Sequence, residues 1–155
     1  MLKIIKAKRI HLEKIADLWE EFMDHHSRIE PILTRLPNGR KRFLKNIGES
    51  FGDPDWQLFV AIYENEIVGF ANVKIMKYPP VLKKYRYGYI QDMAVSGKYR
   101  RLGIGEAMFK EIIKWYKQKK IKRVELLALC GNQVAESFWR KVGFKDYMIR
   151  MKTDI

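Results

Sequence analysis

The chain has 155 residues, of which 47% are hydrophobic and 32% charged, and a formal net charge of +13. This length predicts one domain spanning residues 1–155, and no apolar run is long enough for a bilayer, so we expect no membrane partner. Its one cysteine, Cys130, excludes an internal disulfide, and residues 1–6 are unlike a signal peptide, so we expect a cytoplasmic protein.

The first half of the chain begins with a strand over residues 2–7, where apolar and charged residues alternate. From His11 the apolar residues follow a helical period instead, which predicts a first helix. The breakers Pro37-Asn38-Gly39 end that region, and a second helix is expected over residues 41–49.

Three strands are predicted next, over residues 56–63, 67–76 and 87–95. Glu64-Asn65-Glu66 should form a tight hairpin between the first two, with Asn65 as the residue best suited to positive φ. The loop before the third strand contains Pro79-Pro80, which cannot lie in a central strand.

The last part of the chain begins with a helix after Gly105, followed by an apolar run over residues 123–130 that reads as a buried strand. Asn132 should cap a short helix that closes at Gly143, and a final strand is expected over residues 145–152. The order β-α-α-β-β-β-α-β-α-β predicts an α+β fold with one mixed sheet and helices on both faces.

The stretch from Asp92 to Glu106 joins a strand to a helix through a basic turn and two glycines. Helix N-termini have unpartnered amide groups and partial positive charge, and Gly103 and Gly105 allow an anion to approach them. A P-loop is excluded because no Gly-Lys-Ser/Thr follows, and a dinucleotide fingerprint is disfavoured by Met108. The sequence therefore predicts a phosphate or pyrophosphate site.

Two motifs resemble those of the GCN5-related N-acetyltransferase (GNAT) superfamily. The first is Arg100-Arg101-Leu102-Gly103-Ile104-Gly105, which fits the family's Arg/Gln-x-x-Gly-x-Gly/Ala. The second runs from Asn132 to Phe144 and is similar to Asn-x-x-Ala-x-x-Phe-Tyr-x-Lys-x-Gly-Phe. Their order and separation, with the element order above, extend the resemblance over essentially the whole chain and imply a GNAT-like fold with a splayed sheet.

The resemblance implies acetyl transfer from acetyl-CoA, as cosubstrate and without a metal, to a primary amine of a small molecule, peptide or protein. In the family, pantetheine pairs with a bulged strand, here the backbone of Met93, Ala94 and Val95. The expected pyrophosphate contacts are Arg100, Arg101, Leu102, Gly103, Ile104, Gly105 and Glu106. Further cofactor contacts are expected at Asn132, Phe138 and Trp139, although Asn132 has the alternative role of a plain N-cap.

The chemistry needs an amine that has lost its proton. Asp92 is the candidate general base, with a purely structural carboxylate as the alternative, and the Ala94 amide is the candidate oxyanion donor. The family's acid is a Tyr where this chain has Trp139, and an indole cannot deliver a proton. Ser137, Tyr87 and Tyr89 are substitutes; alternatively, the thiolate leaves without an acid.

Three further residues and one loop are considered for the site. Cys130 could form an acetyl-cysteine intermediate, but the favoured interpretation is a small buried residue. His25 and His26 lack the spacing of metal ligands and are interpreted as surface residues. The 78–86 loop should form a second wall of the acceptor site, which a second copy of the chain could complete as a homodimer. Two other functions stay open: an acyl-CoA-binding module with little catalysis, and a basic nucleic-acid-associated protein, which the scattered Lys and Arg residues disfavour.

Overall fold

The computed structural model describes residues 1–155. Three short 3-10 turns occupy Arg9–His11, Pro31–Leu33 and Gly97–Tyr99. None of the helices is both long enough and apolar enough to span a bilayer. The helices and strands follow the order β1 (Leu2–Lys6), α1 (Leu12–Ile29), α2 (Gly39–Ser50), β2 (Trp56–Tyr63), β3 (Glu66–Lys77), β4 (Arg86–Val95), α3 (Ile104–Gln118), β5 (Val124–Glu125) and α4 (Gln133–Lys141).

The five strands form one sheet in the order β1-β2-β3-β4-β5. The first three pairings are antiparallel and the β4–β5 pairing is parallel, which confirms the predicted mixed sheet. Between β2 and β3, Glu64 and Asn65 have φ values of 48° and 64°. Positive φ at two successive positions is typical of the tight hairpin turn that the sequence predicts.

Helices cover both faces of this sheet, as predicted. On one face, Ile15 of α1 and Phe43 of α2 pack against Leu58, Val60 and Phe70 of the central strands. The opposite face is covered by α3, whose apolar stripe at positions 108, 112 and 116 meets the other side chains of the same strands. Because successive side chains of each strand point to opposite faces, the sheet has one hydrophobic core on each side.

The functional end of the sheet is set by an irregularity in β4. Asn72 of β3 pairs with Asp92, whereas the next residue, Val73, pairs with Ile90, so Gln91 is left without a partner as a β-bulge. The parallel pairing with β5 ends at Tyr89↔Glu125. Beyond that point β4 stays paired with β3 but has no partner on its other side, and a gap opens there between it and the residues after β5.

Two strand predictions at the C-terminal end are wrong. The strand expected over residues 123–130 is only two residues long, because its continuation turns away from β4 and leaves Leu127 exposed. The strand expected over residues 145–152 is absent, because the two-residue β5 is too short to offer an edge, and Met148, Ile149 and Met151 remain exposed. Lys152 holds this segment by an ion pair of 2.6 Å to Glu30.

Candidate functional site

A cleft of about 480 Å³ lies where β4 and the segment after β5 separate. One wall is β4 and its continuation from Ile90 to Ser96, and the opposite wall is residues 126–129. The first turn of α3, the helix α4 and one side of α1 complete the lining, which is mostly hydrophobic. The exposed strand edge and the apolar walls suit a long, narrow ligand that carries its own amide groups.

At one end the cleft reaches the start of α3. Gly103 has a φ of 75° and accepts the helix's first bond from the Ala107 amide at 3.1 Å. The amides of Ile104, Gly105 and Glu106 precede that bond, so they have no acceptor within the helix. This is the arrangement of a helix-terminus anion site.

The charges around these amides favour an anion. Arg100 and Arg101 are exposed, line the cleft and form no ion pair in the structure. The carboxylate of Glu106, which would repel an anion, pairs instead with the Lys141 ammonium, and that pair lowers the pKa of Glu106. Arg101 itself has a φ of 65°, an uncommon conformation for a non-glycine residue that helps to curve the turn around the amides.

The helix α4 packs closely on this end of the cleft. A Cβ added at Gly105 would lie 3.0 Å from the Phe138 ring, so glycine is what permits the approach. Trp139 stacks edge-on with Phe138 at 4.9 Å between ring centroids. Asn132 lines the cleft, is buried, and caps α4 by accepting a hydrogen bond from the Ala135 amide at 3.4 Å. The capping role is therefore present in the structure.

Asp92 lies on β4 two residues before Ala94, at the end of a hydrogen-bonded chain. The Trp56 indole donates to Asn72 Oδ1 at 2.7 Å, and Asn72 Nδ2 donates to Asp92 Oδ2 at 3.2 Å. Burial raises the pKa of Asp92 to about 6, against smaller opposing effects of the Asn72 hydrogen bond and the Lys74 charge. The carboxyl is thus mostly ionised at neutral pH and a stronger base than an exposed one.

The structure brings most of the predicted site residues together in this cleft. Asp92 and Leu102 are not among the lining residues, and Leu102 is exposed. Neither Ser137 nor the two tyrosines on β4 line the cleft, and Cys130 is exposed outside it rather than buried. The predicted residues that line it are Met93, Ala94, Val95, Arg100, Arg101, Gly103, Ile104, Gly105, Glu106, Asn132, Phe138 and Trp139.

The sequence reasoning missed the wall supplied by α1. Leu18, Glu21, Phe22, His25 and His26 line the cleft, and the two histidines are partly buried within α1. The signal that could have found them is helical spacing: positions 18, 22 and 25 share one face with the core residue Ile15. No group of three His, Cys, Asp or Glu side chains is arranged to hold a metal ion.

Comparison of the sequence with known proteins points to one family. The model of the acetyltransferase (GNAT) family matches residues 14–144. A protein from Sulfurisphaera tokodaii named N-alpha-acetyltransferase is 33% identical over 101 residues, a match that spans 59% of this chain and 58% of that protein.

Solved structures agree on the fold. The protein BH1408 from Bacillus halodurans, solved as a tetramutant, aligns over 99% of both chains with a TM-score of 0.86 and 21% identity. A protein from Clostridium acetobutylicum described as a predicted acetyltransferase, solved with acetyl-CoA, aligns over 99% of this chain and 96% of its own with a TM-score of 0.78 and 19% identity. The aminoglycoside N-acetyltransferase AAC(6')-Iy, solved with CoA, has a TM-score of 0.77 at 15% identity, over 100% and 95% of the two chains.

Proposed function

Because the chain belongs to the acetyltransferase (GNAT) family, we propose that it transfers the acetyl group of acetyl-CoA to a primary amine. The transfer is direct, with both substrates bound in a ternary complex, and residues 1–155 act as one catalytic domain. One observation carries the proposal: an amide cradle flanked by two unpaired arginines opens into a cleft beside an unpaired strand edge.

The cleft matches the parts of acetyl-CoA in order. The pyrophosphate binds the amides at the start of α3, with Arg100 and Arg101 as counter-charges. Pantetheine lies along the free edge of β4 at Met93–Val95, where its amides replace the missing pairing of β5. The thioester then reaches the part of β4 near Ala94, beside the bulge at Gln91.

Acetyl transfer requires an oxyanion donor, a proton acceptor and a leaving group at the thioester. The Ala94 amide donates a hydrogen bond to the developing oxyanion. Asp92, ionised at neutral pH, accepts the proton of the incoming ammonium through a water molecule, because its side chain does not line the cleft. The departing group is a thiolate, whose conjugate acid has a pKa of roughly 8.5, so it leaves more readily than an alkoxide or an amine would.

The names of two relatives support a primary amine as the acceptor class. The similar protein from Sulfurisphaera tokodaii is named for acetylation of α-amines, and one structural neighbour is named for an aminoglycoside. The acceptor enters from the α1 side of the cleft, because α1 supplies a wall with polar side chains there.

A second candidate function is an acyl-CoA-binding module with little catalysis. It is favoured by Trp139, which lies where the family has a tyrosine and cannot act as a proton donor. Nucleic-acid binding has no comparable support, because the arginines of the site lie at a cleft rather than along an extended face.

The test measures thiol release from acetyl-CoA with a panel of amines that contains polyamines, aminoglycosides, lysine side chains and peptides with free N-termini. We expect thiol release that depends on one of these acceptors. Binding of acetyl-CoA without turnover on any acceptor would favour the binding module, and an absence of both binding and turnover would remove both functions.

A further inference from the structure

The α1 wall places an imidazole in the same cleft as the part of β4 where the proposed function locates the thioester. The ring of His26 lies on that of Phe22, with 4.1 Å between ring centroids. Phe22 in turn meets Phe70 edge-on at 6.4 Å, and Phe70 is the cross-strand partner of Ala94. His26 also lines the same cleft as Ala94. Packing of α1 on the sheet therefore connects His26, through two aromatic rings, to the strand position that pairs with Ala94.

A hydrogen bond sets which nitrogen of His26 can act. Nδ1 lies 2.7 Å from the carbonyl oxygen of Phe22, one turn earlier in α1. A carbonyl oxygen only accepts hydrogen bonds, so Nδ1 carries the hydrogen. In the neutral ring, Nε2 then holds the free lone pair, which is the state needed to accept a proton.

The other acidic and phenolic side chains of the cleft already form hydrogen bonds or ion pairs. Glu21 accepts a hydrogen bond from the Gly97 amide at 2.8 Å, and the Tyr99 hydroxyl donates to Glu66 at 2.8 Å. Glu106 is paired with Lys141. Apart from the two arginines, only His25 and His26 remain, and His25 forms no side-chain hydrogen bond that would fix its tautomer.

We propose that His26 carries the proton from the attacking amine to the leaving thiolate. This assignment rests on the proposed acetyl transfer and supplies the acid that Trp139 cannot provide. An imidazole can do both jobs because nitrogen and sulfur are bonded to the same tetrahedral carbon, as one histidine serves nucleophile and leaving group in serine proteases.

Proton transfer through His26 accompanies both halves of the acetyl transfer. The neutral amine attacks the thioester carbon, a C–N bond forms, and the carbonyl electron pair moves to oxygen, while Nε2 of His26 takes a proton from the nitrogen. The C=O bond re-forms, the C–S bond breaks with its electron pair on sulfur, and the imidazolium returns the proton to the thiolate. Amine and acetyl-CoA give amide and CoA thiol, and His26 ends neutral.

The test replaces the ring and then supplies it from solution. In His26→Ala we expect kcat to fall by about 10²-fold, the lower range for a lost general acid–base group, with acetyl-CoA affinity unchanged. Added imidazole should restore turnover, and pyrrole, which has the same shape without a basic nitrogen, should not. His11→Gln is the matched control, because His11 lies before α1 and outside the cleft.

Unchanged kcat in His26→Ala, or a loss that imidazole does not repair in a folded variant, would overturn the assignment. If His26→Ala does not fold, nitrogen-15 NMR of the wild-type imidazoles decides: hydrogen on Nδ1 supports the shuttle and hydrogen on Nε2 alone contradicts it. Wild-type protein that releases no thiol with any acceptor would instead refute the proposed function, so the two failures are distinguishable.

Discussion

Gly69 of β3 faces the carbonyl oxygen of Ala94 so closely that an added Cβ would lie 2.9 Å from it. The same Cβ would lie 3.1 Å from the sulfur of Met108 on α3. The backbone of β4 at Ala94 therefore holds its position partly because Gly69 has no side chain. This contact links the middle of the sheet to the strand edge that we propose as the pantetheine site.

Gly69→Ala should therefore weaken acetyl-CoA binding by displacing β4. Overpacking of this kind costs about 1–3 kcal/mol of folding stability, and we expect a roughly tenfold weaker cofactor affinity as well. Calorimetric titration and thermal unfolding measure the two effects. In the control, Gly48→Ala on α2, the added Cβ has only Arg9 Nη1 near it, at 3.5 Å, so stability should rise or stay level. Wild-type affinity in Gly69→Ala would contradict this.

Asp92→Asn should change stability in a way that depends on pH. The native carboxyl, with a pKa of about 6, keeps its proton to higher pH than the unfolded one, with a pKa of 3.8. Stability from this group is therefore full below about pH 4 and is lost as the pH rises to about 6. At neutral pH the Asn variant should be more stable by about 1–2 kcal/mol, discounted from two pKa units because Asp92 keeps some solvent contact. Denaturant unfolding at pH 4 and pH 7.5 measures the gap, which should vanish at pH 4.

The same substitution tests the catalytic role of Asp92. If the carboxylate accepts the ammonium's proton, wild-type kcat/KM should fall below about pH 6, as Asp92 becomes protonated. Asp92→Asn should lower kcat by about 10²-fold with unchanged acetyl-CoA affinity. Wild-type turnover in this variant would leave Asp92 with only the structural role that its hydrogen bond to Asn72 already provides.

Restoring the family's tyrosine, by Trp139→Tyr, should not accelerate the reaction. If His26 protonates the sulfur, a phenol at position 139 adds no needed group, and kcat should stay within about threefold of wild type. Trp139 packs against Phe109 and Phe144, so the smaller ring should cost about 1–2 kcal/mol of stability. Trp139→Phe is the control, with the same packing change and no hydroxyl. A tenfold or larger rise in kcat for Tyr alone would show that the missing acid limits the wild type.

The parts of the site that can be predicted from the sequence are those that depend on local backbone conformation. Gly103 and Gly143 adopt positive φ, and Asn132 caps α4, as each residue's own conformational preferences predict. Residues 100–106 form a continuous turn and helix start, so their amides come together without help from distant parts of the chain. The cofactor end of the cleft is therefore readable from sequence.

The acceptor end of the cleft cannot be predicted in this way, because it depends on contacts between residues far apart in the sequence. The Asn72–Asp92 hydrogen bond joins residues 20 positions apart, and the bulge at Gln91 appears only in the register of β3 and β4. The two histidines enter the cleft through packing of α1 on the sheet. A strand was predicted over residues 145–152, but a strand also needs a partner edge, and β5 has only two residues.

Calorimetric titration with acetyl-CoA tests the central claim most directly. Wild-type protein should bind one acetyl-CoA with a dissociation constant on the order of micromolar. The double variant Arg100→Ala/Arg101→Ala should bind at least about tenfold more weakly, and Arg42→Ala, which removes an exposed arginine on α2, should bind as wild type does. No heat with the wild type, or equal affinity in the double variant, would contradict the proposal that these amides and arginines hold the pyrophosphate.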